Sequence, residues 1–334
     1  MRWTVYLLKA ELRKLVRPLT AWAFCGSLAV CLFSFGVHGI NGSQQLALLT
    51  TSNPLVPTSQ PTSVPPCEVL RLPPGPRCEA AQKEFLVGRQ QAARLARQAQ
   101  AAQAQDVRGA LALQRPQGAA LLAVGMWASL LGALVVPLLA SGHVGSEWTG
   151  RTLKAVLGQD GRRGRLLAAK AVSLWLAAIA LLAVTGALLA LLSPVHAALF
   201  PLRAAPLTVH LSITTVLAQA GRALLVLAVF AVLGVLAAVF TRGALGSFLL
   251  VVAFITAWLV TARLPHLAPG TLAYWVTGWM GFRESSLTPR LWVDVFPSGT
   301  PAPSHTTGLV GLTAVLAISA VVAWAWFVRS DVTV

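Results

Sequence analysis

The chain has 334 residues, of which 56% are hydrophobic and only 11% are charged, and its formal net charge is +16 at pH 7. Soluble globular domains carry about a quarter charged residues, so this composition excludes an ordinary soluble domain and indicates an integral membrane protein. Basic residues that flank membrane spans account for most of the excess charge, which makes nucleic-acid binding a poor explanation for it.

The N-terminal segment 1–20 is predicted to be an amphipathic helix in the cytoplasmic membrane interface. Apolar residues recur at spacings of three and four, and Lys9, Arg13 and Arg17 form a second stripe. A signal peptide is disfavoured, because the apolar run that follows exceeds the usual ~7–15 residues.

Six apolar stretches are each long enough to cross a hydrocarbon core of about 30 Å. None of the ten acidic residues lies in them, and we predict an all-α membrane protein with spans at 21–40, 118–139, 167–192, 216–240, 244–262 and 308–328. The connecting segments are then 41–117, 140–166, 193–215, 241–243 and 263–307, with a tail at 329–334. Basic residues concentrate in 1–20, in 140–166, at Arg242 and at Arg329, so the positive-inside rule places both termini in the cytoplasm of a multi-pass cell-membrane protein.

The first outer loop, 41–117, has two parts of different composition. Residues 53–76 are rich in Pro, Ser and Thr and are expected to be extended, whereas 79–105 consist mostly of Ala, Gln and Arg and predict an exposed helix or a helical arm leaning on a partner. Cys67 and Cys78 bracket a short loop on the predicted oxidising side, so a disulfide is favoured. A metal site is disfavoured, because no His or further Cys is near them.

Between spans 2 and 3, the segment 140–166 is predicted to hold a short amphipathic helix between glycine hinges. Thr149 can cap its first turn and Gly158 can end it. The apolar face consists of Leu153, Val156 and Leu157, the basic face contains Arg151 and Lys154, and Arg162 and Arg163 follow. A helix this short is unstable alone, so another protein is expected to hold it. Lys170 is expected to snorkel from the start of span 3.

The loop 263–307 is too apolar for a solvated loop and too rich in Pro and Gly for a span. It contains Trp275, Trp279 and Trp292. Short re-entrant or interfacial helices, with the tryptophans at headgroup level, are predicted for it.

Catalytic chemistry has no recognisable motif in this sequence. There is no G-x-x-x-x-G-K-[ST] loop, no H-E-x-x-H and no pair of carboxylates within the predicted spans. The absence of acids in the spans also disfavours an ion-coupled transporter. We therefore expect no enzyme activity, cofactor or metal on this chain. Five of the six histidines lie on the predicted outer side without the spacing of a ligand motif, namely His38, His196, His210, His266 and His305.

The segment after span 2 resembles type-2 membrane subunits (permeases) of ATP-binding cassette exporters. The residues that carry the resemblance are Glu147, Gly150, Thr152, Leu153 and Lys154, then Arg162 or Arg163, and then Leu166 to Lys170. The sequence match to the family is specific only over this stretch. The order of an interface helix followed by six spans extends the resemblance to the whole topology. Arg151 departs from the family's tight Gly-Thr-Leu step, and the long Cys-bearing first outer loop is not general to the family.

The resemblance implies that the short amphipathic helix is a coupling helix that docks on a separate P-loop ATPase subunit. Two copies of that ATPase, which carry ATP and Mg²⁺, and a second permease copy, either identical or homologous, complete the implied transporter in the lipid membrane. The implied cargo is hydrophobic or amphipathic, such as a lipid, an antibiotic or a peptide. The implied partner contacts are Glu147, Gly150, Arg151, Thr152, Leu153, Lys154, Val156, Leu157, Arg162 and Arg163, with Leu8, Glu11, Leu12 and Arg13 on the interface helix.

Three alternatives stay open from the sequence. In the first, 142–165 is an ordinary solvated basic loop of an unrelated six-span protein. In the second, the chain is an integral-membrane enzyme, which would need clustered polar residues where the spans show only scattered Ser, Thr and His. In the third, the chain is a membrane scaffold or sensory subunit that displays the outer helical arm to a partner.

Overall fold

The computed structural model describes residues 9–14, 18–51, 66–69, 73–149, 163–202, 211–282, 287, 295–297 and 300–329. All regular secondary structure in these residues is helical, and six helices are long and apolar enough to cross a membrane. The prediction of an all-α, multi-pass membrane protein with six spans is therefore confirmed at this level. Residues 9–14 are helical. The other α-helices, in chain order, are α1 (Pro18–Thr51), α2 (Pro76–Leu113), α3 (Pro116–Trp127), α4 (Leu130–Ala140), α5 (Ser146–Thr149), α6 (Arg163–Leu199), α7 (Ile213–Thr241), α8 (Ala244–Thr261), α9 (Leu272–Met280) and α10 (His305–Arg329).

Helix α1 continues past the predicted end of span 1 at residue 40 to Thr51, into the segment predicted to be a loop. Its extension packs against α2, where Leu46, Val107 and Ala110 form a small buried cluster. Gly42 lies so close to Ala110 that a Cβ on the glycine would clash with the Ala110 side chain. Packing on α2 therefore keeps the polar end of α1 helical.

Helix α2 confirms a helix in the predicted arm and extends it at both ends. Pro76 lies in its first turn, where a missing N–H is not needed. Residues 83–88 are exposed, whereas Val107 and Ala110 to Leu113 pack against the rest of the described protein. The C-terminal end of the arm therefore packs on its own chain.

Span 2 differs from the prediction of a continuous helix over 118–139. The chain breaks at residues 128–129 between α3 and α4, and the segment that can cross the membrane is Leu130–Trp148. At this break a Cβ on Gly132 would lie 1.8 Å from the Trp127 carbonyl oxygen, so only glycine fits. The prediction that no acidic residue lies in a span is also wrong, because Glu147 belongs to this segment.

A π-helix, Ser141–Gly145, joins α4 to α5. The sequence predicted a glycine hinge here. Thr149 is the last residue of α5, and the helix that it was predicted to cap lies outside the described residues. A Cβ on Gly145 would lie 2.7 Å from the Ala244 Cα, so this glycine permits a close approach to the start of α8. The glycine thus serves packing at this position.

The remaining spans follow their apolar runs. Helices α7, α8 and α10 coincide with the predicted spans 4, 5 and 6 to within three residues. Helix α6 is longer than predicted, so that Arg163 and Arg165 lie in its first turn rather than in the preceding loop.

Helix α7 lies at the centre of the bundle and contacts most other helices. In its most apolar window 67% of the residues are buried, against 17% for α8 and 22% for α10. Lipid-facing helices expose apolar side chains in this way because the bilayer, rather than the protein, solvates them. Helices α8 and α10 therefore form outer faces of the bundle.

A short helix is confirmed in the loop 263–307. Thr271 caps α9 by accepting a hydrogen bond from the Tyr274 N–H, and Trp275 and Trp279 lie against Gly308 and Gly311 of α10. Trp292 lies outside the described residues. The depth of α9 in the membrane stays a prediction.

Candidate functional site

Five ionisable side chains meet where the N-terminal segment crosses the ends of span 2 and α6. We call Glu11, Lys14, His143, Glu147 and Lys170 the ion-pair cluster. Glu11 Oε2 lies 2.9 Å from Lys170 Nζ and 3.0 Å from His143 Nε2, and Glu11 Oε1 lies 2.8 Å from Lys14 Nζ. Glu147 bridges the same two lysines, at 2.9 Å from Lys14 Nζ and 2.8 Å from Lys170 Nζ.

Four members of the cluster are buried, with side-chain exposures of 1% for Glu11, 2% for Lys170, 3% for His143 and 8% for Glu147, whereas Lys14 is 31% exposed. With a neutral His143, two carboxylates balance two ammonium groups. Burying an unpaired charge costs several kcal/mol, so these groups are stable here only as a set. The expectation that Lys170 snorkels outward is wrong, because its ammonium turns inward to both carboxylates.

The pKa directions of the two N-terminal members agree with this pairing. Burial alone would raise the pKa of Glu11, but the hydrogen bond from His143 and the charges of Lys170 and Lys14 outweigh it and hold that pKa below its usual range. Burial likewise opposes the charged form of Lys14, but its bonds to Glu11 and Glu147 raise its pKa. Both groups are therefore charged at neutral pH.

Local helix geometry brings the members together. Glu11 and Lys14 are three residues apart on one face of the N-terminal helix, and Leu12 packs against the core. His143 comes from the π-helix, a conformation that often occurs at functional sites because it shifts the register of side chains. Ser173, one turn beyond Lys170, donates a hydrogen bond to the Lys170 carbonyl oxygen and lies 3.5 Å from His143 Nε2.

The predicted partner-contact residues fall into three groups. Glu11 of the interface helix and Glu147, an implied partner contact, are both buried, and their carboxylates face the interior of the cluster. Arg13 is exposed, and Arg163 Nη1 donates a hydrogen bond to the Val328 carbonyl oxygen of α10 at 3.2 Å. Outside the described residues lie Leu8, Gly150, Arg151, Thr152, Leu153, Lys154, Val156, Leu157 and Arg162. Their contact with an ATPase stays a prediction.

Lys14 and His143 are members of the cluster that the sequence analysis missed. The sequence offered one indication that His143 belongs to a site, because it is the one histidine that falls on the predicted cytoplasmic side. Acids are also rare in this chain, and a carboxylate beside an apolar span needs a basic partner. What the sequence did not show is that Glu11 would meet His143 and Lys170, and that Glu147 would meet Lys14, each more than 100 residues away.

An aromatic contact links the cluster to the far side of the bundle. Trp148 follows Glu147, and its ring lies under the Arg242 guanidinium at 5.5 Å, in the turn between α7 and α8. The same ring packs edge-on against Phe327 of α10 at 6.3 Å. The end of the bundle that carries the cluster therefore also carries Arg242 and the last turns of α10.

The predicted disulfide is confirmed. Cys67 and Cys78 are bonded, with their Cα atoms 5.8 Å apart, and the bond ties the preceding loop to the first turn of α2.

Comparison of the chain with protein-family models, with curated proteins and with solved structures finds no match. Its function is therefore inferred from its residues and their geometry.

Proposed function

We propose that this chain is the membrane-spanning subunit of an ATP-driven exporter of the type-2 ATP-binding cassette class. It forms the path for a hydrophobic or amphipathic substrate, and a separate P-loop ATPase hydrolyses ATP. The observation that best supports this proposal is the ion-pair cluster, because it joins the N-terminal helix to both flanks of the predicted coupling helix.

The connection has a mechanical consequence. Glu147 lies just before the predicted coupling helix and Lys170 lies after it, and both bind Glu11 or Lys14 of the N-terminal helix. A displacement of the coupling helix would therefore move span 2, α6 and the N-terminal helix together. Transitions of this kind rely on packed elements that shift as units rather than deform continuously.

The apolar interior suits an apolar cargo. A cavity of about 230 Å³ lies between α6, α7 and α10, and its lining is almost entirely apolar. Its wall includes Leu167, Ala171, Val235, Ala323 and Trp324. In the proposed transporter, a second permease copy, identical or homologous, completes the path.

Co-purification with an ATPase tests this proposal. The chain is expressed with the P-loop ATPase that the proposal predicts beside its gene, and any complex is isolated in detergent by a tag on this chain. Leu153→Asp with Leu157→Asp places two charges on the predicted apolar face, so we expect loss of the ATPase from the complex. Ala155→Asp with Gln159→Asp is the matched control, because it adds the same charges at the same spacing away from the apolar face: Ala155 lies on the opposite face and Gln159 follows the predicted helix end at Gly158.

Co-purified ATPase activity that is lost only in the first pair supports the proposal. Equal loss in both pairs contradicts face-specific docking. Stable purification of the chain without any ATPase, in cells that express both proteins, would overturn the exporter assignment.

The exposed arm favours a second candidate function, a membrane scaffold or sensory subunit. Phe85, Leu86 and Leu95 are at least 39% exposed on α2, although large apolar side chains on an aqueous helix usually have a partner. This candidate predicts no dependence on Leu153 and Leu157, and it predicts that the adjacent genes do not encode a P-loop ATPase.

A further inference from the structure

A crevice of about 400 Å³ opens between the α7–α8 turn and the last turns of α10. It lies at the same end of the bundle as the ion-pair cluster, because Arg242 on its rim contacts Trp148, the residue after Glu147. Its lining residues are Arg242, Val321, Val322, Ala325, Trp326 and Arg329.

Two exposed arginines, Arg242 and Arg329, lie at the rim. Within the part of the chain that the structure describes, neither forms an ion pair with an acid, so their charges can meet an anion from outside the chain. Arg242 has φ 52°, the left-handed conformation that favours glycine at the end of a helix. An arginine at a position where glycine would be less strained points to a use for its side chain.

Below the arginines the crevice wall is apolar. Val321 is 63% exposed and Trp326 is 46% exposed, and the Trp326 ring packs on Phe240 with centroids 4.6 Å apart. Val321 lies eight residues before Arg329 in one helix, so the apolar wall reaches about 12 Å below the charged rim. A charged rim above an apolar wall matches a molecule with an anionic head and a hydrocarbon tail.

We propose that this crevice binds an anionic phospholipid of the adjoining leaflet. Its phosphate lies between Arg242 and Arg329, its acyl chains follow Val321 and Val322, and Trp326 lies at headgroup level, where tryptophan is favoured. An acidic protein could pair with the arginines but would leave the apolar wall unused. The proposal goes beyond the transport function and does not require an ATPase partner.

Native mass spectrometry of the full-length chain in mild detergent tests the site. Phosphatidylglycerol and phosphatidylcholine with identical acyl chains are titrated separately. We expect tighter binding of phosphatidylglycerol, reduced roughly thirty-fold in the Arg242→Gln, Arg329→Gln variant, since each arginine near an anionic surface contributes about fivefold. The matched control is Arg108→Gln with Arg263→Gln, two exposed arginines on other connecting segments, and its affinity should be unchanged.

Two further measurements separate the lipid from other anions. Ala325→Trp fills the crevice without changing its charge, so we expect it to weaken phosphatidylglycerol binding while the variant elutes as the native chain does. Displacement of the lipid by millimolar inorganic phosphate would show a site for the headgroup alone and would overturn the proposal. Equal loss of affinity in the Arg108, Arg263 control would overturn it as well, because binding would then follow net charge.

Discussion

Lys170 is a lysine near the end of a membrane span whose ammonium group points into the protein. It contacts one carboxylate from the N-terminal helix and one from span 2, so it holds together three segments that are far apart in the sequence. Such a group contributes little net stability when it is fully paired, but its removal leaves uncompensated charges. The main effect of the cluster is therefore to hold the N-terminal helix, span 2 and α6 in one arrangement, rather than to add to the free energy of unfolding.

Lys170→Met should destabilise the protein by about 3–5 kcal/mol, because Glu11 and Glu147 would then share only Lys14. Adding Glu147→Gln restores the balance of charge, so the double variant should recover roughly 1–2 kcal/mol, as expected for coupled neighbours. Thermal unfolding in detergent measures both effects. Lys9→Met, a change at an exposed lysine of the N-terminal helix, should leave the unfolding temperature unchanged. Additive losses in the double variant would argue against a shared charge balance.

At the scale of elements, apolar runs predicted helices α7, α8 and α10 well, because their length is set by the membrane. Apolar runs failed to predict the elements whose conformation is set by packing between helices or by ion pairs. The polar end of α1 is helical through its contacts with α2, and the break before α4 follows from close approach at Gly132. The partners of Glu11 and Glu147 could not be predicted in full, because three of the five ion pairs join residues more than 100 positions apart and periodicity reports only local structure.

The disulfide should stabilise the start of α2 locally, since closing a loop of this size is worth about 3 kcal/mol. Cys67→Ser with Cys78→Ser should therefore increase trypsin cleavage after Arg71 and Arg77 several-fold. The other end of α2 should stay protected, because Val107 and Leu113 are fully buried against the remainder of the chain. Peptide mapping by mass spectrometry measures both regions, and Cys25→Ser serves as the control. Unchanged cleavage after Arg77 would show that packing alone, rather than the disulfide, orders this turn.

At the scale of the whole molecule, the orientation in the membrane decides which compartment the ion-pair cluster, the crevice and the disulfide-bonded arm face. The ion-pair cluster and the crevice lie at one end of the bundle, and two residues of the cluster, Glu147 and Lys170, flank the predicted coupling helix in the sequence. The disulfide-bonded arm lies at the end of α1 away from the N-terminus. If the first end is cytoplasmic, the cluster adjoins the compartment that holds ATP, and the disulfide lies in an oxidising one.

We predict this orientation from the distribution of basic residues, and cysteine labelling can test it. In a chain that lacks Cys25 and Cys31, Gln90→Cys on the arm should react with a membrane-impermeant maleimide in intact cells. Gln159→Cys, in the predicted coupling loop, should react only after the membrane is permeabilised. Labelling of both sites after lysis provides the control for accessibility. The reverse pattern would place the arm in the cytoplasm, where its disulfide would be reduced, and would remove the predicted coupling helix from the reach of any cytoplasmic ATPase.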